Sequence, residues 1–215
     1  MTTAPAAPPG APAPARPTLG APAPGRPTPE QRDRRRRIID AAFELGAERG
    51  YDAVQMRDVS ASANVSLATI YRYFSSKDHL LAAAMSEWTA KLQGRVAQSP
   101  PRGDTAADQL VDVLGRACRA MARQPKLSAA LVRALSAPDA GVRESADQVQ
   151  GQIAAMAAGI LGDLDPRMQA DILGVLGHVW YSTLVAWTSG RIDFDAVIVE
   201  LERAVRVMVE PYERA

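Results

Sequence analysis

Three observations predict an all-α protein. Alanine is abundant and aromatic residues make up 5% of the chain, a mixture that suits helices because alanine and leucine lose little entropy in them. Apolar residues recur at spacings of three and four along several segments, and no segment shows the strict alternation of a strand. Proline and glycine stand between these segments, where helices are expected to begin and end.

Residues 1–29 differ from the rest of the chain. They contain ten prolines and no carboxylate, and proline removes backbone donors and clashes with the preceding turn. We therefore predict a disordered, Pro/Ala-rich arm over residues 1–29. The arm is interpreted either as a plain linker or as an extension whose Arg16 and Arg26 reach phosphates.

The first helix is predicted from Pro29 to about Arg49. Thr28 can cap it, Gln31 completes a capping box, and Gly50 supplies the stop. Four consecutive arginines, at 34–37, precede its apolar stretch. Since they point in different directions around a helix, they form either a solvated helix start or a set of which one or two contact DNA backbone.

Two short helices follow, over about Met56–Ala63 and Leu67–Tyr73, with a turn at residues 64–66. Their length and spacing predict a helix-turn-helix within residues 55–74. A fourth helix, at 77–97, completes a DNA-binding domain over 30–97. The apolar residues that would seal the two short helices onto the first are Val59, Ala63, Val65, Ile70 and Phe74.

Five more helices are predicted after the break at residues 98–103. Their spans are about 104–123, 125–137, 139–161, 166–189 and 194–210, with Gly162 and Gly190 as stops. Residues 98–215 are assigned to a second domain. Residues 30–95 carry a net charge of +2 and residues 96–215 carry −3, so the basic character favours the first domain as the one that meets a polyanion.

The segment from Val65 to Phe74, followed by Lys77, contains the side chains that suit DNA. Ser66 and Thr69 can donate to phosphate oxygens at a helix N-terminus, and Lys77 adds a positive charge. Tyr71 and Tyr73 are two residues apart and cannot share a helix face. One can therefore reach into the groove while the other contacts the backbone, or both can pack between helices.

The phrases Gly50–Val54, Arg57–Val59, Val65–Ser66, Ile70–Phe74, Lys77 and Leu80–Leu81 together resemble the DNA-binding domain of TetR-family repressors, over residues 32–92. The resemblance implies an Ω-shaped helical homodimer on a palindromic double-stranded DNA operator, with a C-terminal ligand-binding and dimerisation domain. It places Leu67, Ala68 and Tyr71 at base edges, and it places five residues at phosphates: Gln55, Ser66, Thr69, Tyr73 and Lys77. Members often carry threonine at position 55 and glycine at position 68, so this chain departs from the pattern at Gln55 and Ala68.

A narrower resemblance involves Tyr51–Arg57, His79–Leu81 and Val179–Trp187, which are similar to the actinobacterial repressors of cholesterol catabolism. It implies a small hydrophobic effector, a steroid-derived or fatty acyl-CoA. A constitutive regulator or an activator without a ligand is the alternative that the sequence leaves open.

The expected effector pocket is lined by apolar and methionine side chains, a lining that suits an adaptable cavity. The alternative is that each of these residues is plain core. No nucleophile motif, cofactor loop or metal-ligand spacing is present, so we expect no enzyme activity, no cofactor and no metal. With one cysteine and no apolar stretch that could span a bilayer, we expect a cytoplasmic protein without a membrane partner. The pocket residues expected are Met85, Trp88, Cys118, Met121, Leu131, Met156, Trp180, Leu184 and Trp187.

Overall fold

A computed structural model describes residues 28–162 and 164–213 of the chain. Within these residues the backbone forms nine α-helices and one short 3-10 turn, and it forms no strand. The expectations for the N-terminal arm fall on residues 1–27, outside the described part. The helices are α1 Pro29–Arg49, α2 Met56–Ser62, α3 Leu67–Tyr73, α4 Lys77–Gln98, α5 Ala106–Ala122, α6 Pro125–Ala134, α7 Ala140–Ala158, α8 Pro166–Thr188 and α9 Phe194–Glu213.

The start of α1 confirms the predicted capping box. The Gln31 N–H donates to Thr28 Oγ1 at 3.3 Å, and the Thr28 N–H donates to Gln31 Oε1 at 2.9 Å. Thr28 and Pro29, which the predicted domain boundary gave to the arm, therefore belong to the cap and first turn of α1. The helix ends at Gly50, whose φ of 83° is open to glycine and strained for other residues.

Three predicted helix ends are wrong. Helix α6 ends at Ala134 and not near 137. Helix α7 ends at Ala158 and not near 161, because the Ala157 carbonyl already accepts turn hydrogen bonds from Ile160 and Leu161. Gly159, not Gly162, is the residue that follows the helix. Helix α9 continues through Pro211 to Glu213, since a proline in the last turn removes a single hydrogen bond of the helix.

The two domains share one hydrophobic core. Helix α1 packs on α4 and α6, α4 packs along α7, and α9 packs on α5 and α8. At Gly46 a Cβ atom would lie 2.9 Å from Leu127 Cδ1, so the glycine allows α1 to approach α6 closely. The buried apolar side chains, from Ile38 of α1 to Val209 of α9, form one contiguous cluster in space.

None of the helices in residues 28–162 and 164–213 combines the length and the apolar character needed to cross a membrane.

Candidate nucleic-acid interface

The turn between α2 and α3 is fixed by local hydrogen bonds. Asn64 takes a positive φ of 52°, a conformation that asparagine tolerates better than most residues. The Ser60 hydroxyl donates to the Val65 carbonyl at 2.7 Å and closes the turn. Ser66 caps α3, accepting from the Thr69 N–H at 3.1 Å. These contacts set the direction in which α3 leaves the turn.

Helix α3 has a buried face and an outer face. Ile70 is fully buried, and Phe74 directly after the helix is 1% exposed. Leu67 is 40% exposed, Tyr71 is 53% exposed and Ala68 is also exposed. An exposed apolar and aromatic surface on a short helix is what contact with base edges in a groove requires. The three residues predicted at base edges thus lie together on the outer face of α3.

Three of the residues predicted at phosphates lie at the helix starts beside this outer face. Ser66 is exposed and Thr69 half-buried, and their hydroxyl oxygens are 2.8 Å apart. Gln55 is exposed and stands at the N-cap position of α2, but its side chain forms no capping hydrogen bond. The departure from threonine at this position therefore leaves α2 without a side-chain cap.

Tyr73 faces the core in this structure, and its phosphate contact stays a prediction. Its ring packs against the core beside Phe74, with the two ring centroids 6.3 Å apart, and Arg72 covers it at 5.5 Å. Its hydroxyl oxygen is buried and has no hydrogen-bond partner within the described residues. The packing interpretation therefore describes this conformation, because the side chain must rotate before the hydroxyl can reach a phosphate.

Lys77 is also turned inward. Its ammonium lies 3.8 Å from the centroid of the Tyr51 ring and donates to the Tyr51 carbonyl at 3.2 Å. Arg133 of α6 stacks on the same ring at 4.0 Å, and the Tyr51 hydroxyl donates to Asp78 at 2.6 Å. Burial, then the Asp78 carboxylate, raises the pKa of Tyr51 to about 12, so the hydroxyl stays protonated. Tyr51 thus joins α4 and α6.

The arginines at 34–37 differ in their surroundings, and an ion pair within the protein was not among the predicted alternatives. Arg35 forms an ion pair with Glu87 of α4 at 2.6 Å and lies 5.6 Å from the Phe74 ring centroid. Arg36 pairs loosely with Asp40 at 3.8 Å, and Arg37 is exposed without an ion pair in the described part of the chain. Arg35 therefore holds α1 on α4, while Arg37 is left to solvent.

The segment that follows α3 is hydrogen-bonded to one carboxylate of the C-terminal domain. Asp139 caps α7, accepting from the Gly141 N–H at 2.7 Å. The same carboxylate accepts from the Ser75 hydroxyl at 2.9 Å and from the Ser76 hydroxyl at 3.0 Å. Hydrogen bonds to the carboxylate hold the pKa of Asp139 below its usual value, and the bond from Ser75 has the largest effect. We call this contact of Ser75, Ser76 and Asp139 the serine–aspartate clasp.

His79 and Gly141 form the apolar side of the same contact. A Cβ atom on Gly141 would lie 2.3 Å from His79 Nδ1, so the imidazole rests directly on the α7 backbone. The Ser75 N–H donates to Nδ1 at 3.2 Å, and the Phe74 ring centroid lies 5.3 Å from that of the imidazole. Burial lowers the pKa of His79 and outweighs the nearby Asp139 and Glu144 carboxylates, so the neutral ring is favoured. A cavity of about 630 Å³ between Tyr71 and Ala140 adjoins this contact.

The nine residues predicted to line an effector pocket surround neither the cavity beside the clasp nor a second cavity between α4 and α5. Met85, Cys118, Met121, Leu131, Trp180 and Leu184 are buried in the shared core, and Trp88, Met156 and Trp187 pack half-buried against it. Trp187 stacks edge-on against Phe194, and the Trp180 indole N–H is buried without a partner in the described residues. The placement matches the plain-core alternative.

Sequence reasoning missed the clasp and the Tyr51 cluster. Pro138-Asp139 before an apolar run does signal a helix cap, but nothing in the sequence brings Asp139 to Ser75, 64 residues away. In the described residues, His, Cys, Asp and Glu side chains form no group that could hold a metal ion.

The comparisons with known proteins agree with this geometry. Residues 38–84 match the model "Bacterial regulatory proteins, tetR family", and residues 103–208 match "Tetracyclin repressor-like, C-terminal domain". The HTH-type transcriptional repressor KstR of Mycobacterium tuberculosis is 37% identical over 186 residues, which are 86% of this chain and 84% of KstR. This similarity confirms the narrower resemblance.

Two solved structures share the fold. A TetR transcriptional regulator from Rhodococcus sp. RHA1 superposes with a TM-score of 0.76 at 28% identity, covering 83% of this chain and 97% of that one. The FadR repressor of Thermus thermophilus, solved with lauroyl-CoA, superposes with a TM-score of 0.66 at 22% identity, covering 81% and 92%. Together with the KstR match, the two domain models and the outward-facing helix-turn-helix, these findings establish that the chain belongs to the TetR family, a family of DNA-binding transcription regulators.

Proposed function

We propose that the chain is a homodimeric repressor that reads a palindromic operator with two copies of α3. The observation that carries the proposal is the outer face of α3, where Leu67, Ala68 and Tyr71 are exposed while Ile70 behind them is fully buried. Ser66 and Thr69, at the start of the helix, are placed to donate to phosphate. The buried hydroxyl of Tyr73 gains a partner if DNA draws it outward, since an unpaired buried hydroxyl costs about 1–3 kcal/mol.

The dimer interface is proposed on α8 and α9. Large apolar residues are exposed there in the single chain, and an isologous four-helix contact would cover them. They are Val175, Tyr181, Val199, Val207 and Tyr212. The two reading helices would then lie one turn of the duplex, or a multiple of it, apart.

The effector is proposed to be a hydrophobic acyl-CoA thioester, either steroid-derived or fatty. The support comes from the similarity to KstR, from the acyl-CoA in the FadR structure, and from the buried Trp180 indole N–H. A ligand that opens the core beside Trp180 would give this donor a carbonyl partner.

Release from DNA is proposed to follow a population shift. The effector favours an arrangement in which α7 moves, and the serine–aspartate clasp carries that movement to the end of α3. DNA favours the other arrangement, so operator and effector must weaken one another by the same factor.

A second candidate is a regulator that binds DNA constitutively or activates transcription without a ligand. It is favoured by one observation, namely that the predicted pocket residues are packed as core and line neither described cavity. A thermal-shift screen distinguishes the two, because a ligand bound only by the folded protein raises its melting temperature.

The test is selection of bound duplexes from random DNA, followed by titration of the selected operator with and without acyl-CoA thioesters. We expect a palindrome to be enriched, and its affinity to fall when the effector is added. Enrichment without any effect of acyl-CoA would favour the constitutive regulator. Absence of any enriched duplex, even at low salt, would refute the proposal as a whole.

A further inference from the structure

A cavity of about 450 Å³ lies between the end of α4 and the outer face of α5. Three of its lining residues are apolar, and most of the others are arginines. We call it the arginine cavity. It is lined by Leu92, Arg95, Val96, Ser99, Arg102, Asp112, Arg116, Arg119, Ala120 and Arg123.

The charge of this cavity is unbalanced. Five arginines face one carboxylate, which gives a net charge of +4, although residues 96–215 as a whole carry −3. Asp112 is already occupied, since Arg116 pairs with it at 2.5 Å and the Arg102 N–H donates to it at 2.9 Å. Arg95, Arg102, Arg119 and Arg123 are exposed and form no ion pair within the described residues. Like charges confined to one cavity repel each other, and a bound anion would remove that repulsion.

The arginine cavity is held in shape by the one arginine of its lining that is not exposed. Arg116 Nη1 donates to the Ser99 carbonyl at 2.6 Å and Nη2 donates to the Pro100 carbonyl at 3.1 Å, so it fixes the loop after α4. Arg119 folds back along α5, where its guanidinium would lie 3.0 Å from a Cβ at Gly115. Gly115 therefore leaves room for this guanidinium on the helix surface.

The operator does not supply the anion. Lys77 begins α4 beside the reading helix and Arg95 lies near its other end, 18 residues further on. At about 1.5 Å per residue the two are separated by about 27 Å along the helix, so Arg95 is far from a duplex docked on α3. None of the lining residues belongs to α8 or α9, so the proposed dimer does not cover the cavity either.

We propose that the arginine cavity binds clustered phosphate groups of a small ligand. Guanidinium groups present paired donors that match phosphate oxygens, and several arginines on one wall suit more than one phosphate. Leu92 and Val96 are buried at the inner side of the cavity and belong to the same buried stripe of α4 as Met85. A ligand with a phosphate-bearing head and an apolar tail therefore finds both surfaces on α4. The inference depends on the proposed function at one point, namely that this ligand is the effector.

The test uses the full chain in a chloride buffer and three probes, which are coenzyme A, ADP and inorganic pyrophosphate. Calorimetric titration compares the natural protein with the double variant Arg119→Gln/Arg123→Gln, whose two side chains are exposed and unpaired in the described residues. The matched control is Arg143→Gln/Arg167→Gln, which removes two exposed arginines that form no ion pair in the described residues and lie outside the cavity. We expect the cavity variant to bind about tenfold more weakly or worse, and the control to bind as the natural protein does.

The probes separate the possible sources of phosphate. Tighter binding of coenzyme A than of pyrophosphate assigns the site to the head of an acyl-CoA, and equal binding of all three assigns it to a free polyphosphate; both outcomes support the site. Absence of binding by all three, or undiminished binding by the cavity variant, overturns it. A protein that binds coenzyme A but selects no duplex would contradict the proposed function and leave the site standing.

Discussion

The Ser75 hydroxyl donates to the Asp139 carboxylate at 2.9 Å and so joins the segment between α3 and α4 to the start of α7. Ser75 lies directly before the cap of α4, and Asp139 is itself the cap of α7. One carboxylate thus serves two elements, one of which holds the DNA-reading helix. The clasp is one of several polar links between the two domains, beside the ion pair of Arg133 with Asp52 and the hydrogen bond of Ser86 with Gln148, and His79 packs against Gly141 in the same contact.

Ser75→Ala tests the clasp without removing a helix cap. The variant keeps Ser76 and Asp139 as caps, so we expect the melting temperature to change little. We expect faster amide hydrogen exchange over residues 66–79, because loss of a hydrogen bond worth about 0.5–1.5 kcal/mol eases local opening. Ser76→Ala is the comparison, since it also removes the α4 cap and should cost about 1 kcal/mol of stability. Unchanged exchange in Ser75→Ala would mean that the clasp does not stabilise this segment.

Gly141→Ala tests the contact between His79 and α7. The new Cβ would lie within 2.5 Å of three imidazole atoms, so the ring or the helix start must move and stability should fall. Gly151→Ala is the matched control on the same helix, because no atom lies within 4 Å of its added Cβ. There we expect a gain of about 0.5–1 kcal/mol, as alanine favours a helix over glycine. Chemical denaturation measures both changes. A Gly141→Ala variant as stable as Gly151→Ala would contradict the seated imidazole.

The sequence predicted the helices well because caps and periodicity are local. Thr28 with Gln31 and Ser66 before Leu67 each marked a helix start that the structure confirms. The outer face of α3 was also predictable, since Ile70 and Phe74 must be buried and Leu67 and Tyr71 then point away. The position of Tyr73 was not predictable, because its ring reaches the core only where Phe74 and Arg72 pack around it.

Long-range contacts explain the remaining misses. Asp139 meets Ser75, and Arg133 meets Tyr51, only after α6 and α7 have folded against α1 and α4. The expected pocket stays a prediction, since an apolar residue on a helix lines a cavity or fills the core according to its neighbours on other helices. The arginine cavity is likewise formed by α4, α5 and the loop between them.

Mild acid should loosen the domain contact through His79. Burial lowers the folded pKa of this residue below the unfolded value of about 6.5, so the unfolded chain binds more protons. The contribution of His79 to the free energy of unfolding is therefore complete above the unfolded pKa, and it is lost as the pH falls below that pKa. Urea unfolding between pH 8 and pH 5 measures the loss. His79→Gln should flatten the dependence. An unchanged slope in His79→Gln would assign the titration elsewhere.

Tyr71→Ala should relax sequence preference. Tyr71 is the more exposed of the two large hydrophobic residues on the outer face of α3, and loss of a base-edge contact removes about 1–3 kcal/mol of discrimination. The measurement is the ratio of dissociation constants for the selected operator and for a duplex with its half-sites scrambled. We expect the ratio to shrink while binding to the scrambled duplex stays nearly constant. Equal weakening on both duplexes would instead assign Tyr71 to the DNA backbone.

Lys77→Gln separates a phosphate contact from a structural one. If DNA draws the ammonium away from the Tyr51 ring, the variant should bind every duplex more weakly. The slope of log affinity against log salt should then flatten by about one for each phosphate that the ammonium no longer neutralises. Arg133→Gln is the matched control, because it removes the other cation that stacks on Tyr51. Both variants should lose some stability, since a cation–π contact at a partly exposed site contributes about 0.5–1 kcal/mol. Only Lys77→Gln should alter the salt slope. If both variants show the same slope, Lys77 has a structural role and does not contact phosphate.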